Sequence, residues 1–136
     1  MKIKSIFTGI LVTIFLASGT QLAMAQEKKE KKVFEKVEVM PKFQEKDLKQ
    51  FRTWVMQNVK YPEDALKEGI SGKVYVGFII NSEGDIEDVK IKKGDHDSLN
   101  KEVLRVVKSS PKWIPGFNEG KPVNVAIVIP VEFKLS

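Results

Sequence analysis

Any chemistry in this sequence must be built from very few groups. There is one histidine, His96, and no cysteine among 136 residues, which excludes thiolate nucleophiles, disulfides, zinc–thiolate sites and iron–sulfur clusters. His96 stands between Asp95 and Asp97, a trio that elsewhere holds a metal or orients a base. Adjacent side chains in an exposed loop point apart, and no second histidine completes a shell, so this trio reads as a solvated loop before a helix. Glu83, Asp85, Glu87 and Asp88 lack the regular oxygen spacing of a calcium loop. Ser109 and Ser110 have no base nearby and no nucleophile-elbow glycines. Gly69, Gly72 and Gly77 do not form a phosphate cradle, because Gly77 falls inside a strand pattern. The chain is expected to be no enzyme, with no cofactor and no metal.

The elements that would have to position a site are clearer. Leu48, Phe51, Val55 and Val59 recur at spacings of three and four, which predicts a helix over residues 45–59, with Trp54 and Met56 flanking the stripe and widening its buried face. Pro62 suits the start of a short helix through Glu68, closed by Gly69 with Ile70 folding back over its last turn. Val74, Val76, Phe78 and Ile80 share one strand face, and residues 81–85 form a hairpin loop with a glycine, Gly84. The return strand turns Val89 and Ile91 inward. Ile86 has the wrong parity, which predicts a bulge or a loop-capping role. A second helix follows over residues 98–108, capped by Asp97 or Ser98, with Leu99, Val103, Val106 and Val107 buried. Trp113 anchors the Pro/Gly loop after it.

The last strand, residues 123–135, alternates strictly. Val123, Val125, Ile127, Ile129, Val131 and Phe133 take one face, and Asn124, Ala126, Val128, Pro130, Glu132 and Lys134 the other. Pro130 cannot donate to a ladder on both sides, which marks an edge or a bulge. The expectation is an α+β domain: a three-stranded antiparallel sheet with two principal helices on one face. A short N-terminal extended segment precedes it, with Val37 and Val39 alternating up to Pro41. An open strand edge accepts an extended peptide as an added strand, and the last strand is the candidate.

Lys2 and Lys4, the apolar stretch Ile6 to Ala17, and Ala23-Met24-Ala25 have the order of a secretory signal cleaved before Gln26. Residues 26–32 then read as a charged, flexible leader, and residues 33–136 as the domain. The membrane is a partner only if the signal is retained as an inner-membrane anchor facing the periplasm. The net charge is +5 and falls to +3 without Lys2 and Lys4. With so balanced a surface, no nucleic acid partner is expected.

The stretch from Tyr61 to Leu135 resembles the C-terminal domain family of TonB, the energy transducer of TonB-dependent transport. The matching residues include Tyr61-Pro62, Ala65, Gly69, Gly72, Val74, Phe78, Gly84, Leu99 and Val103. Pro111, Trp113, Pro115, Gly116, Pro122, Val123 and Phe133 match as well. The lead-in VEVMPKF resembles that of the Bacteroidetes branch, and a signal segment stands where a full transducer carries its anchor and proline-rich spacer. The resemblance implies a periplasmic domain that recruits the TonB box of an outer-membrane receptor, or another envelope protein, by strand addition. On this chain the docking edge would be Val123, Asn124, Val125, Ala126, Ile127, Val128 and Ile129. Tyr61, Pro62, Gly72, Gly84 and Trp113 would be structural anchors. The alternative is a stand-alone structural or regulatory envelope protein without energy transduction.

Overall fold

The computed structural model describes residues 31–136, and Val33–Ser136 form one compact unit. The signal segment and most of the charged leader lie outside the described residues. Among the described residues no helix is long and apolar enough to cross a membrane.

The order along the chain is β1 (Val33–Phe34), β2 (Lys42–Phe43), α1 (Leu48–Asn58), α2 (Glu63–Lys67), β3 (Gly72–Ile80) and β4 (Ile86–Lys93). Then come α3 (Asp97–Lys108), β5 (Trp113–Ile114), β6 (Gly116–Asn118) and β7 (Lys121–Phe133). The expected antiparallel strands are β4, β3 and β7, with β3 in the middle of the three. Two additions make the sheet mixed. β1 pairs parallel to β7, and β6 pairs antiparallel to its start. β2 and β5 form a separate two-stranded ladder.

The alternation of β7 decides the layering. Its odd residues from Val125 to Phe133 are all buried, together with Val74, Val76, Phe78 and Ile80 of β3. Phe51 and Val55 of α1, and Leu99, Val103, Val106 and Val107 of α3, cover that face. The bulge foreshadowed by Ile86 sits at Asp88, which has φ +54. Gly77 faces Lys90 but Ile79 faces Glu87, so β4 carries one extra residue there. That residue returns Ile86 to the side of Val89 and Ile91, and all three pack on the core.

Three local expectations are corrected. The extended segment does not run unbroken to Pro41, because β1 ends at Phe34 and Val39 bridges instead to Phe117. The first helix begins at Leu48, not Glu45: Gln44 and Glu45 adopt φ +51 and +65. They form a tight turn closed by two bonds of 2.9 Å between Phe43 and Lys46, and Asp47 then caps the helix by accepting from the Gln50 N–H. The helix expected from Ser98, α3, begins at Asp97 behind His96, and the Ser98 hydroxyl donates to the Asp64 carboxylate instead of capping its own first turn.

An aromatic cluster holds the layers together. The Phe51 and Trp113 rings meet edge-on at 4.7 Å, Phe43 lies 5.0 Å from Phe51, and Phe78 lies 5.5 Å from Phe51. Trp54 stacks on Phe51. Such contacts add to the large apolar area each ring buries. The indole N–H of Trp113 donates to the Ser110 hydroxyl at 2.8 Å, so burial leaves no polar group unpaired. Its backbone N–H donates to the Gly84 carbonyl at 2.8 Å. Gly84 has φ +90, and a Cβ there would lie 2.2 Å from the Trp113 carbonyl oxygen, so only glycine lets the hairpin sit on this loop.

Two stability outcomes follow. Trp113→Ala removes a ring that meets Phe43, Phe51 and Phe78 and should cost about 3–5 kcal/mol in denaturant melts. Glu45→Gly relieves a left-handed residue at a cost of about 1–2 kcal/mol, partly offset by the freedom glycine adds to the unfolded chain. The net expected in the same melts is a gain of about 0.5–1 kcal/mol.

Candidate functional site

β7 is not a bare edge over its whole length. Val125 faces both Ile80 of β3 and Phe34 of β1, so those two strands flank it on opposite sides. Asn124 faces Val33, and Val123 faces Gly116 of β6. Three of the seven docking-edge residues, Val123, Asn124 and Val125, therefore already have strand neighbours. The reason lies in a contact remote in sequence, the return of residues 33–34 to the start of the last strand. Ala126, Ile127, Val128 and Ile129 have β3 on one side and no described strand on the other, and this free stretch continues to Phe133.

Pro130 tells which backbone groups are free. The β3 ladder runs without a shift from Gly72–Phe133 to Ile80–Val125, with Tyr75 facing Pro130. A residue without an N–H keeps such a ladder intact only where the missing donor points away from β3. Backbone direction alternates along a strand, so Ala126, Val128 and Glu132 turn their N–H and C=O outward, and Pro130 its C=O. Their side chains share the sheet face opposite the helices: Ala126 and Pro130 are half-buried and Val128 is exposed. Ile127 and Ile129 are committed to the core. The far edge of the sheet, β4, is broken by the Asp88 bulge and carries Lys90, Lys92 and Lys93, the features of a strand protected against pairing.

A groove of about 410 Å³ follows the free edge. Lys49, Arg52 and Met56 of α1 form one wall, Pro130 and Glu132 lie along β7, and Lys73 of β3 closes the far side. None of these residues except Pro130 stands out in the sequence. Lys49 and Arg52 are simply the solvent side of a helix whose apolar stripe points elsewhere, and Met56, expected to widen the buried face, lies too far round the helix and is exposed. The other end of α1 is fixed through α3. The Glu102 carboxylate accepts the Lys60 N–H at 2.7 Å and two bonds from Arg105 at 2.9 and 2.7 Å. The Arg105 guanidinium, then the Lys60 N–H, hold the Glu102 carboxyl below the usual glutamate range. The Ser98 hydroxyl likewise lowers Asp64.

The anchors lie around this frame. The Tyr61 hydroxyl donates to the Ile70 carbonyl, and its ring meets Phe133 edge-on at 5.5 Å. Pro62 precedes α2, whose end is closed by Gly69 (φ +67) and the Ile70 N–H donating to Ala65 at 2.8 Å. Gly72 opens β3 opposite Phe133, and Gly84 and Trp113 meet as described. His96 and the acidic loop gather no cluster of three metal-ligating side chains among the described residues.

Residues 57–135 match the family described as Gram-negative bacterial TonB protein C-terminal. The chain belongs to the TonB C-terminal domain family. It is 33% identical over 89 residues to Protein TonB of Helicobacter pylori strain J99, covering 65% of this chain and 30% of that protein. It is 32% identical over 90 residues to Protein TonB of Campylobacter coli, covering 65% and 37%. The chain thus spans about a third of the length of the curated relatives it matches. The fold matches a solution structure of the Helicobacter pylori TonB C-terminal domain with a TM-score of 0.54 and 31% identity, over 65% of this chain and 80% of that one. A shorter form of the same domain gives 0.50 and 32%, over 64% and 91%. TonB C-terminal domains are non-catalytic periplasmic modules; this chain is not an enzyme, and its place is the periplasm. The match is to the family as a whole, without distinguishing a Bacteroidetes branch.

The Glu102 network gives a pH-dependent outcome. Its folded carboxyl titrates below the unfolded value, so its stabilisation is present at pH 7 and fades as pH falls below the ordinary glutamate value of about 4.3. Glu102→Gln should lower stability by about 1–2 kcal/mol at pH 7, and urea melts at pH 3 should bring the two proteins much closer together.

Proposed function

We propose that this domain binds an extended peptide of a TonB-dependent outer-membrane receptor, a TonB box, by adding it as a strand to Ala126–Phe133. The observation that carries this reading is the outward-facing row of backbone groups on Ala126, Val128, Pro130 and Glu132, beside an open groove. Each new main-chain bond contributes about 0.5–1.5 kcal/mol net, against the cost of ordering the peptide. A short strand held this way binds weakly and reversibly, which suits a partner engaged and released during transport. The selective side chains are those of the even residues and of α1, since the odd residues of β7 serve the core. Export by residues 1–25, with cleavage before Gln26 and a short leader over residues 26–32, is part of the same reading.

The test is to titrate the protein with synthetic peptides copied from the N-terminal segments of outer-membrane receptors and to follow its amide NMR signals. Shifts should concentrate on Ala126–Phe133 and the facing side of α1. Val128→Pro removes an outward donor while sparing the β3 ladder. It should weaken binding at least tenfold with little change in the melt, whereas Ile129→Pro breaks the ladder and should unfold the domain. Shifts confined to β4 or to the Asp95–Asp97 loop would overturn strand addition at this edge.

A further inference from the structure

The lysines of β4 gather on one side of the sheet, against the alternation of its sequence. With Ile91 turned to the core, simple alternation along IEDVKIKK sends Lys90 and Lys92 outward and Lys93 inward. A second register shift, beyond the one at Asp88, changes this. Val76 faces Ile91 but Tyr75 faces Lys93, so Lys92 is an extra residue. Lys93 therefore shares the side of Tyr75, away from the helices, where Lys90 already faces Gly77. The Lys92 stem lies there too, since a Cβ added at Gly77 would be 3.0 Å from its Cγ and 3.6 Å from a Val128 methyl. With β7 the ladder makes two rows across the sheet: Lys93, Tyr75 and Pro130 in one, Lys90, Gly77 and Val128 in the next. All three lysines are exposed, and among the described residues none of them is in an ion pair. Val128 is 50% exposed, and Tyr75 and Pro130 are half-buried. The acids nearby lie outside the two rows: Glu87 is opposite Ile79, Asp88 is in the bulge, and Glu132 faces Lys134 at 3.9 Å.

Guarding a strand edge needs charge somewhere on β4, but not three cations brought to one face beside apolar side chains. We propose that this sheet face rests on an anionic lipid surface, a role that does not depend on the strand edge. The ammonium groups reach the lipid phosphates while their stems, with Val128 and Pro130, cover the headgroup boundary. Tyr75 has the same two-sided character, a residue type at home where membrane meets water. The two rows cross three strands, about 10 Å, and stand about 7 Å apart, a flat patch that suits a flat partner. A continuous sheet of negative charge engages all three lysines at once, each strengthening association about fivefold. A second copy of the chain would instead bring like charge against like. The periplasm is bounded by membrane on both sides, so a domain placed there has such a surface within reach.

The chain has no cysteine, so a single cysteine can carry an environment-sensitive dye. Val128→Cys puts the dye on the lysine face, and Lys101→Cys puts it on the exposed side of α3 as a control. The apolar stretch of residues 6–17 can bring the full chain to any bilayer, so the readout is the surroundings of the dye and not sedimentation with vesicles. At low salt, vesicles of equal parts phosphatidylglycerol and phosphatidylcholine should shift the emission of the Val128 dye to the blue. Pure phosphatidylcholine should not, and the Lys101 dye should respond to neither. The shift should be lost near 1 M salt, where the screening length is about 3 Å. It should also be lost at low salt in the double variant Lys90→Glu with Lys92→Glu, whose exposed positions leave the core intact. A Val128 dye indifferent to phosphatidylglycerol, or a shift that survives both the salt and the double variant, would overturn the proposal. If dextran sulfate moves the Val128 emission as much as the vesicles do, the ligand is an anionic polymer and the lipid proposal falls.

Discussion

Nine consecutive register pairs join β3 to β7, and most of the architecture depends on that ladder. Because side chains alternate with a period of two, one register choice sends Val125, Ile127, Ile129, Val131 and Phe133 to the same side. A slip by one residue would place Pro130 and Glu132 in the core and the valines and isoleucines in water. The ladder thus fixes the face on which α1 and α3 must lie. It also fixes which backbone groups of β7 are left over on the side away from β3.

Everything else serves to hold that ladder between two closures. At one end the β3–β4 turn is seated on the loop after α3, through the contact of Gly84 with Trp113 and the ring cluster beneath it. At the other end Tyr61 braces Phe133 while its hydroxyl secures the strap leading into β3. The helices are tied to each other by Glu102, which accepts from both the backbone just beyond α1 and the side chain of Arg105. No charged or polar residue is fully buried among the described residues. The domain therefore relies on apolar packing, with its charges at or near the surface.

The free edge is a consequence of chain economy at the sheet's margin. β1 and β6 are two and three residues long, and they cover only the start of β7. β4, at the opposite margin, is blunted by a bulge and lysines. Among the described residues, one edge carries a bulge and lysines, and the other is left open beside a cationic helix. Membership of the TonB C-terminal family agrees with such a module.

The elements whose signals are local can be read directly from the sequence. Alternation from Val123 to Phe133, the three-and-four spacing from Leu48 to Val55, the wrong parity of Ile86 and the Gly69–Ile70 closure each arise within about ten residues. Most of the core follows from them, although Met56 and Leu66, expected on the buried side, are exposed. Where the last strand is open cannot be read that way. That depends on Val33 and Phe34 meeting Asn124 and Val125, some ninety residues away in the chain, a pairing with no local pattern to announce it. The same holds for Phe43, buried at the centre of the ring cluster from a lead-in that reads as polar, and for Lys49, Arg52 and Lys73. On the sequence these cations are ordinary surface charge. They line one groove only because the packing of Phe51 and Val55 against the sheet turns the opposite side of α1 toward the last strand.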